Sequence, residues 1–413
     1  MKKYLLLGIA LLSAFLLAAC CSNCYQSQSD LLRETWMQKI DTCPTKWTEC
    51  ADRWFLAGEP NQIEQCDHCA PPSKVISTMD IRVCDFSKIQ VRGNFEVQLL
   101  GAQDHNSVSI LGPNQQVRQI IVQIRHGTLY LSTAKGCKAS LDKIIVRIGI
   151  RNLRNLTSYG PGLIEGRGVT GDCLTINSAG AANILLEGNM NLVRLNQAGT
   201  GTVTVMGANT QSLHLNVPGN GNVNISGRVG VQSIKHFGNG MINIIGADTD
   251  CLYIFASGSG FTGIAGNVNL KQVVAQGNSC VFVYRVNSCD TKVLVYQNAT
   301  VGLAGITKNL IVNTSGYGTF QGSYLHAESV YVRTANWSHA NVASNHKIFA
   351  AATNKSSIYY VGSPTDVSTF PGNDASILSF PNNPIPVPCL KPPSCMNPPS
   401  QVVDNWTYRP SYK

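Results

Sequence analysis

Seven carboxylates lie in the central part of the chain: Glu165, Asp172, Glu187, Asp248, Asp250, Asp290 and Glu328. Cleaving a polysaccharide needs two or three such groups converging on one bond, with an Arg, a Lys or a calcium ion beside them. In sequence only Asp248 and Asp250 are neighbours. The histidines His214, His236, His326, His339 and His346 could act as bases or metal ligands if the fold brought two of them together. Surface positions are the default expectation for isolated histidines. Fifteen cysteines complete the reactive inventory. Whether any of these groups meet depends on the frame that carries them.

That frame is a repeat. Gly-x-Gly corners recur in "SYGPGLIEG", "QAGTGTVTVMG", "VPGNGNVNISG", "HFGNGMINIIG" and "ASGSGFTGIAG". The first corner position falls at Gly160, Gly180, Gly199, Gly219, Gly238, Gly258 and Gly277, then at Gln297, Gly316 and Asn336, with gaps alternating between 20 and 19. A second glycine follows eight residues after most corners, for example Gly168, Gly188, Gly207, Gly227, Gly246, Gly266 and Gly305. Apolar residues alternate after each corner, as in Val203/Val205, Val223/Ile225 and Ile242/Ile244. They alternate before it in Leu174/Ile176, Val193/Leu195, Leu213/Leu215 and Leu252/Ile254. Period-two alternation over about four residues marks a half-buried strand. Each repeat is therefore expected to supply two short strands between glycine corners. A repeat this short has no room for a helical crossover, which needs a dozen residues or more, so a βαβ unit is excluded. One strand pair cannot bury its face alone, and stacking the repeats does so. The fold class expected is all-β: a parallel β-helix or β-solenoid of about ten 19–20-residue rungs over 81–364. At ~4.8 Å per rung it would be about 48 Å long. Val, Ile and Leu would line its inside, and Thr and Asn ladders its outside. Gln297, Asn336 and Asn354 replace corner glycines, and asparagine tolerates the left-handed conformation better than most residues.

In this frame most carboxylates fall seven to ten residues before a corner without forming a cluster. The histidines occupy different columns. The glycine corners share only composition with phosphate loops, because no helix follows them. No catalytic, cofactor-binding or metal-binding residue is expected, and the protein is read as not an enzyme. Seven Asn-x-Ser/Thr triplets, Asn298 and Asn336 among them, follow from the composition of the turns.

The N-terminus has its own chemistry. Lys2-Lys3, an apolar run from Tyr4 to Leu17 and Ala18-Ala19-Cys20 make a secretory signal peptide over 1–19. The run is shorter than the ~20 residues a spanning helix needs, and no second candidate span follows. Leu17-Ala18-Ala19-Cys20 resembles the lipobox of bacterial lipoproteins. The resemblance implies that Cys20 receives a diacylglycerol and further acylation such as palmitate. Several acyl chains anchor durably where one is marginal. Cys21, not Asp, follows Cys20, which in Gram-negative sorting favours the outer membrane.

Residues 20–80 form a Cys-rich region with Cys43, Cys50, Cys66 and Cys69 as candidate disulfide partners. Within it "DLLRETWMQKI" reads as a short amphipathic helix capped by Asp30. The alternative for "CPTKWTEC" and "CDHC" is a zinc site with His68, but exported chains favour disulfides. Residues 365–413 read as a Pro-rich tail, with nine prolines in 380–410 and a candidate Cys389–Cys395 staple. Such a tail would be a partner-docking strand, a spacer or a strap along the rod, and it could cover the open strand edge at the end of the coil. The net charge of +9 is concentrated in 81–159, where 11 basic side chains face 4 acidic ones. This basic shoulder could meet anionic lipid or polysaccharide. Nothing matches a nucleic-acid module.

"FSKIQVRGNFEVQLLG", "VSILG" and "VRQIIVQIRHGTLYLS" precede "KIIVRIGIRNLRNLTSYGPG", followed by the rungs and "YYVGSP". That order, carried by Phe86, Ile89, Val91, Gly93, Val97, Gly127, Leu129 and the corners, resembles the putative auto-transporter adhesin, head GIN domain family over about 84 to 364. The resemblance implies a β-helical domain on an exported bacterial protein, often a lipoprotein, with no established enzymatic activity. The expected function is that of a non-enzymatic outer-membrane lipoprotein. Its rod would serve as a structural or interaction scaffold, adhesin-like or for envelope assembly. The partners are then the membrane, through the lipid anchor, and an envelope protein. A glycan is the alternative, motivated by Tyr253, Tyr331, Tyr359 and Trp337.

Overall fold

The computed structural model describes residues 54–56, 76–134 and 144–380. Cys20, Cys43, Cys50, Cys66, Cys69, Cys389 and Cys395 lie outside the described residues, as do the signal peptide, the Asp30 helix, His68 and the chain beyond Phe380.

The described chain is strand almost throughout. Short strands come first: β1 (Trp54–Leu56), β2 (Ile76–Ile81), β3 (Lys88–Arg92), β4 (Glu96–Leu100) and β5 (Ser107–Pro113). A single helical turn, α1 (Asn114–Val117), leads to β6 (Ile120–Arg125), β7 (Thr128–Thr133), β8 (Ile145–Gly149) and β9 (Asn155–Ser158). Ten long strands follow: β10 (Leu163–Ser178), β11 (Asn183–Gln197), β12 (Thr202–Val217), β13 (Asn222–His236), β14 (Met241–Ala256), β15 (Phe261–Ala275), β16 (Cys280–Val295), β17 (Thr300–Thr314), β18 (Thr319–Ala335) and β19 (His339–Thr353). The described residues end in β20 (Ser357–Val361), β21 (Asp366–Pro371) and β22 (Ser376–Phe380), the last two within the segment read as tail.

Every long strand pairs in parallel with the one before and the one after, as the repeat requires. The result is a β-solenoid of about twelve turns, two more than the corner glycines alone imply. The expected inward columns are inward. Val203, Val223 and Ile242 are stacked partners and fully buried, as are Val205 and its successors Ile225 and Ile244 to within 2%. Burying one such side chain is worth about 1.5–3 kcal/mol, so every added turn extends one continuous core.

Three features differ from the sequence reading. First, each turn has three strand segments, not two. Between β12 and β13 the register runs Thr202–Met206, then Ala208–Thr210, then Leu213–Val217, with an irregularity at each join. The middle segment buries Ala208 and Thr210 in one turn and Val229, the partner of Thr210, in the next. Second, Val193 is not in the core column. Leu192 is buried instead, because a bulge shifts the register there. Third, the front layers are out of chain order. β3 pairs with both β7 and β9, and β4 pairs with both β8 and β10, so the 88–100 turn is sandwiched between two later ones. Beyond it β5 runs antiparallel to β8, β6 to β7, β2 to β5 and β1 to β6. The N-terminal end of the coil is thus closed by antiparallel strands, which blunts its open edge.

The alternating 20- and 19-residue gaps also have a backbone cause. In the longer turns a glycine such as Gly207 or Gly246 (φ 80° and 81°) is the extra residue of a bulge. In the shorter turns the equivalent Gly227 and Gly266 take φ 138° and 151° and stay in the ladder.

Candidate functional site

The corner changes along the coil, and with it what the surface offers. In the earlier turns the corner glycines stack directly on one another. A methyl group on Gly199 would overlap the carbonyl of Gly180, and one on Gly238 the carbonyl of Gly219. From about Gly277 onward the corner becomes a hydrogen-bonded β-turn. Ala299 N–H donates to the Tyr296 carbonyl, and Gly318 to Ser315, Ser356 to Thr353 and Ala375 to Gly372, each at 3.3 Å. Asn336–Trp337 and Asn354–Lys355 have two successive positive φ values (57°, 65° and 54°, 61°), the signature of a type I′ turn. Serines brace these turns from within. Thr314 donates to Ser338 Oγ and Thr334 to Ser356 Oγ, both at 2.8 Å in the core.

An opened corner has room for side chains. Tyr317 and Trp337 stand out at 64% and 57% exposure. The Lys355 ammonium sits 4.7 Å from the Trp337 ring centroid. Asn354 Nδ2 donates to Asn336 Oδ1 at 3.1 Å. Asn336, Trp337, Asn354, Lys355, Asn373 and Asp374 line an open groove of about 240 Å³.

Two aromatic columns flank this corner on the outer faces. In one, Tyr331 stacks on Phe349 (4.7 Å, 9° between planes), Phe349 meets Phe370 at 5.0 Å, and Arg333 lies over Tyr331. Ile311, partnered with Tyr331, extends the column. In the other, His339 meets Tyr359 at 4.8 Å and Tyr359 meets Phe380 at 5.7 Å. Such contacts add about 0.5–1.5 kcal/mol each beyond burial. Phe370, Phe380, Val367 and Leu378 remain exposed. Of the four aromatics singled out in the sequence, Tyr331 and Tyr359 join these ladders, Trp337 joins the groove, and Tyr253 stands apart, exposed on β14.

The carboxylates stay apart. They lie in strand segments rather than in a loop. Asp248 accepts from Arg228 at 3.2 Å, Asp290 from Asn309 at 2.8 Å and Asp172 from Asn152 at 2.5 Å. Among the described residues no three His, Cys, Asp or Glu side chains gather where they could hold a metal. His214 and His346 are exposed and bond to Ser233 and Thr365. His236 corrects the surface expectation. It is buried, bonds Thr262 Oγ1 through Nδ1 at 3.0 Å, and burial pushes its pKa down to about 4. Its column, with Val217 before and Ala256 after, is an inward one, so the period-two pattern already contained the signal. Burial likewise lowers the pKa of His339, against the opposing effect of its Nε2 hydrogen bond to Asn341 Oδ1. The expected amide ladders are present outside, for example Asn243 to Asn224 at 3.0 Å and Asn216 to Asn196 at 2.8 Å.

A rod of stacked turns with outward columns of aromatics and amides is a presenting scaffold in class. The chain belongs to the family described as "Putative auto-transporter adhesin, head GIN domain", whose model matches residues 85–284 and 266–364. None of the curated proteins matches it. Among solved structures it is similar to a putative adhesin from Bacteroides fragilis NCTC 9343 at 18% identity, covering 75% of this chain and 99% of that one, with a TM-score of 0.22. It is similar to a putative lipid binding protein from Parabacteroides distasonis ATCC 8503 at 13% identity, with 75% and 98% covered and a TM-score of 0.26. A putative adhesin from Parabacteroides merdae ATCC 43184 matches at 12% identity, with 75% and 98% covered and a TM-score of 0.24.

Proposed function

We propose that this adhesin-family chain is a non-enzymatic lipoprotein of the outer membrane. It is held there by acyl groups on Cys20 and presents the last turns of its solenoid to an envelope protein. The single observation that carries the interaction reading is the aromatic surface of those turns: Trp337 on the corner, with Tyr331, Phe349 and Phe370 beside it. Aromatic anchors that are rigid and already exposed lose little entropy on binding and dominate interface energetics. The lipobox-like Leu17–Cys20 supports the anchor, and the scattered carboxylates, of which Asp248 is ion-paired with Arg228 and Asp290 hydrogen-bonded to Asn309, support the absence of catalysis.

The test compares the full chain with Trp337→Ala plus Phe370→Ala in pull-downs from solubilised envelopes. Loss of a reproducible partner with the pair, and retention with Tyr253→Ala, supports the reading. Identical capture by all three sinks it. For the anchor, radiolabelled palmitate should enter the wild type and not Cys20→Ser.

The groove favours a second reading, in which the envelope ligand is a glycan. An indole beside amides, a carboxylate and an ammonium offers both the apolar face and the hydrogen-bonding groups a sugar ring uses. A glycan array that shows no Trp337-dependent binding removes it.

A further inference from the structure

Each turn ends on a third strand segment, the one that leads into the corner, and its outward face differs in charge from the rest of the coil. Through β3, β9 and the closing segments of β10 to β18, outward residues stack in columns. One column carries Lys88, Arg194 and Lys292. The next carries Lys235 and Arg333, and Arg92 stands at the rim beside the corner. All six are exposed, and among the described residues none has a carboxylate within ion-pair distance. No Asp or Glu among the described residues lies on this face from β3 to β18. Of the seven carboxylates of the coil, Glu165 and Glu187 lie on the first segment, Asp248 on the second, and the rest at the join that precedes the third. Like charges gathered without counter-charges repel, and a bound polyanion would relieve that repulsion.

The face is long and narrow. From the β3 layer to the β18 layer it rises ten steps of ~4.8 Å, about 48 Å, whereas its two main columns stand two residues apart, about 7 Å. A strip of that shape fits one linear chain lying along the rod better than it fits a plane. Amides and rings fill the places between the cations. Asn177, Asn196 and Asn216 form a ladder in the second column, with Asn216 Nδ2 donating to Asn196 Oδ1 at 2.8 Å. The Arg92 guanidinium lies 4.6 Å from the Tyr159 ring centroid, and Tyr253 and Phe255 stand side by side in the β14 layer. Cations for carboxylates, amides for hydroxyls and ring faces for the C–H faces of sugars are the groups that an acidic polysaccharide engages.

We propose that this face binds a single chain of acidic polysaccharide, a polyuronate in chemical class, running along the rod axis. Its carboxylates meet Lys88, Arg194, Lys235 and Lys292 in turn, and its rings lie over the amide ladder and the aromatic side chains. The coil then holds a glycan along its side in addition to the partner at its last turns.

The test uses the full chain and galacturonate oligomers of defined length, read by fluorescence polarisation. Affinity should rise with oligomer length until the chain spans the face, and fall as salt is raised, because exposed charges are screened. Arg194→Gln with Lys235→Gln and Lys292→Gln should weaken binding at least about tenfold. Removing the same charge elsewhere on the coil, with Arg167→Gln, Arg228→Gln and Arg285→Gln, should change it less than about twofold. Oligomers whose carboxyl groups have been reduced to alcohols should not bind. Equal losses from the two triple variants, or binding of the reduced oligomers, overturns the proposal. No binding of galacturonate at low salt overturns it too, and capture by phosphatidylglycerol vesicles in its place would make the face a membrane contact. None of the six substituted residues belongs to the aromatic surface at Trp337 and Phe370, so failure here leaves the protein-docking reading standing.

Discussion

The turns before about Gly277 and those after it make the same corner by opposite means. The earlier ones bring backbone against backbone, and a Cβ at Gly199 or Gly238 would collide with the carbonyl of the turn below. The later ones close the corner with a β-turn hydrogen bond and tolerate Gln297, Asn336, Asn354 and Asp374 at positive φ. In the first region Tyr159 and Phe237 are exposed just before the corner glycines, and the glycine positions themselves carry no side chain. The openness of the second lets Tyr317, Trp337 and Lys355 project. A solenoid built of equivalent turns can thus close its corners in two ways, by glycine stacking in one region and by hydrogen-bonded turns in the other.

Substitutions can break this contrast. Gly238→Asn is expected to cost about 3 kcal/mol or more through overpacking, whereas Gly316→Asn, whose nearest backbone neighbours in Gln297 lie 3.0–3.2 Å from an added Cβ, should cost less than about 1 kcal/mol. Urea denaturation of both variants measures this, and equal losses would erase the distinction. Next in size is a pH effect at His236. Its folded pKa, about 4, lies below the unfolded value of about 6.5, so the unfolded state binds the extra proton between these pH values. The stability associated with neutral His236 is complete above about pH 6.5. It is lost as pH falls toward 4, by about 2–3 kcal/mol. The difference between wild type and His236→Gln across that window isolates it, and parallel curves would refute it.

Arg285 replaces a glycine within a turn rather than at its corner. It occupies, at φ 67°, the bulge position held by Gly207 and Gly246 in other turns. Arg285→Gly should gain about 1 kcal/mol by releasing left-handed strain, read as a rise in melting temperature. The smallest expected effect is at Trp337. Trp337→Ala removes an exposed cation–π contact and should shift stability by no more than about 1 kcal/mol while abolishing ligand capture. Capture that survives, or a large stability loss, would move Trp337 from the binding surface to the scaffold.

Much of this architecture was legible before any coordinates. Local spacing dictates local stacking, so the corner positions and the columns through Val203, Val223 and Ile242 followed from the 19–20-residue repeat. The asparagine corners were legible too, because few other side chains tolerate positive φ. What escaped detection was non-local or irregular. The sandwiching of 88–100 between later strands has no sequence period, since its partners at 128–149 sit in a single excursion. The third strand segment was hidden because bulges at both joins reset the alternation. Of the candidate surface, individual aromatics were visible, but their convergence was not. Tyr331, Phe349 and Phe370 stack although their spacings in sequence, 18 and 21, differ from the repeat. The 18-residue step pairs Tyr331 with Phe349, whereas Phe370 is paired with Ala351 and reaches the Phe349 ring diagonally.

Turn-on-turn register holds the solenoid together, and one cross-link tests it directly. Thr204 and Asn224 are stacked partners on the outer face, with Asn224 Nδ2 donating to Thr204 Oγ1 at 3.5 Å. Thr204→Cys with Asn224→Cys should give an intramolecular disulfide in a monomer that still unfolds cooperatively, because strands one turn apart lie within disulfide reach. A folded monomer in which those two thiols remain reduced under oxidation, or pair only between molecules, would contradict it.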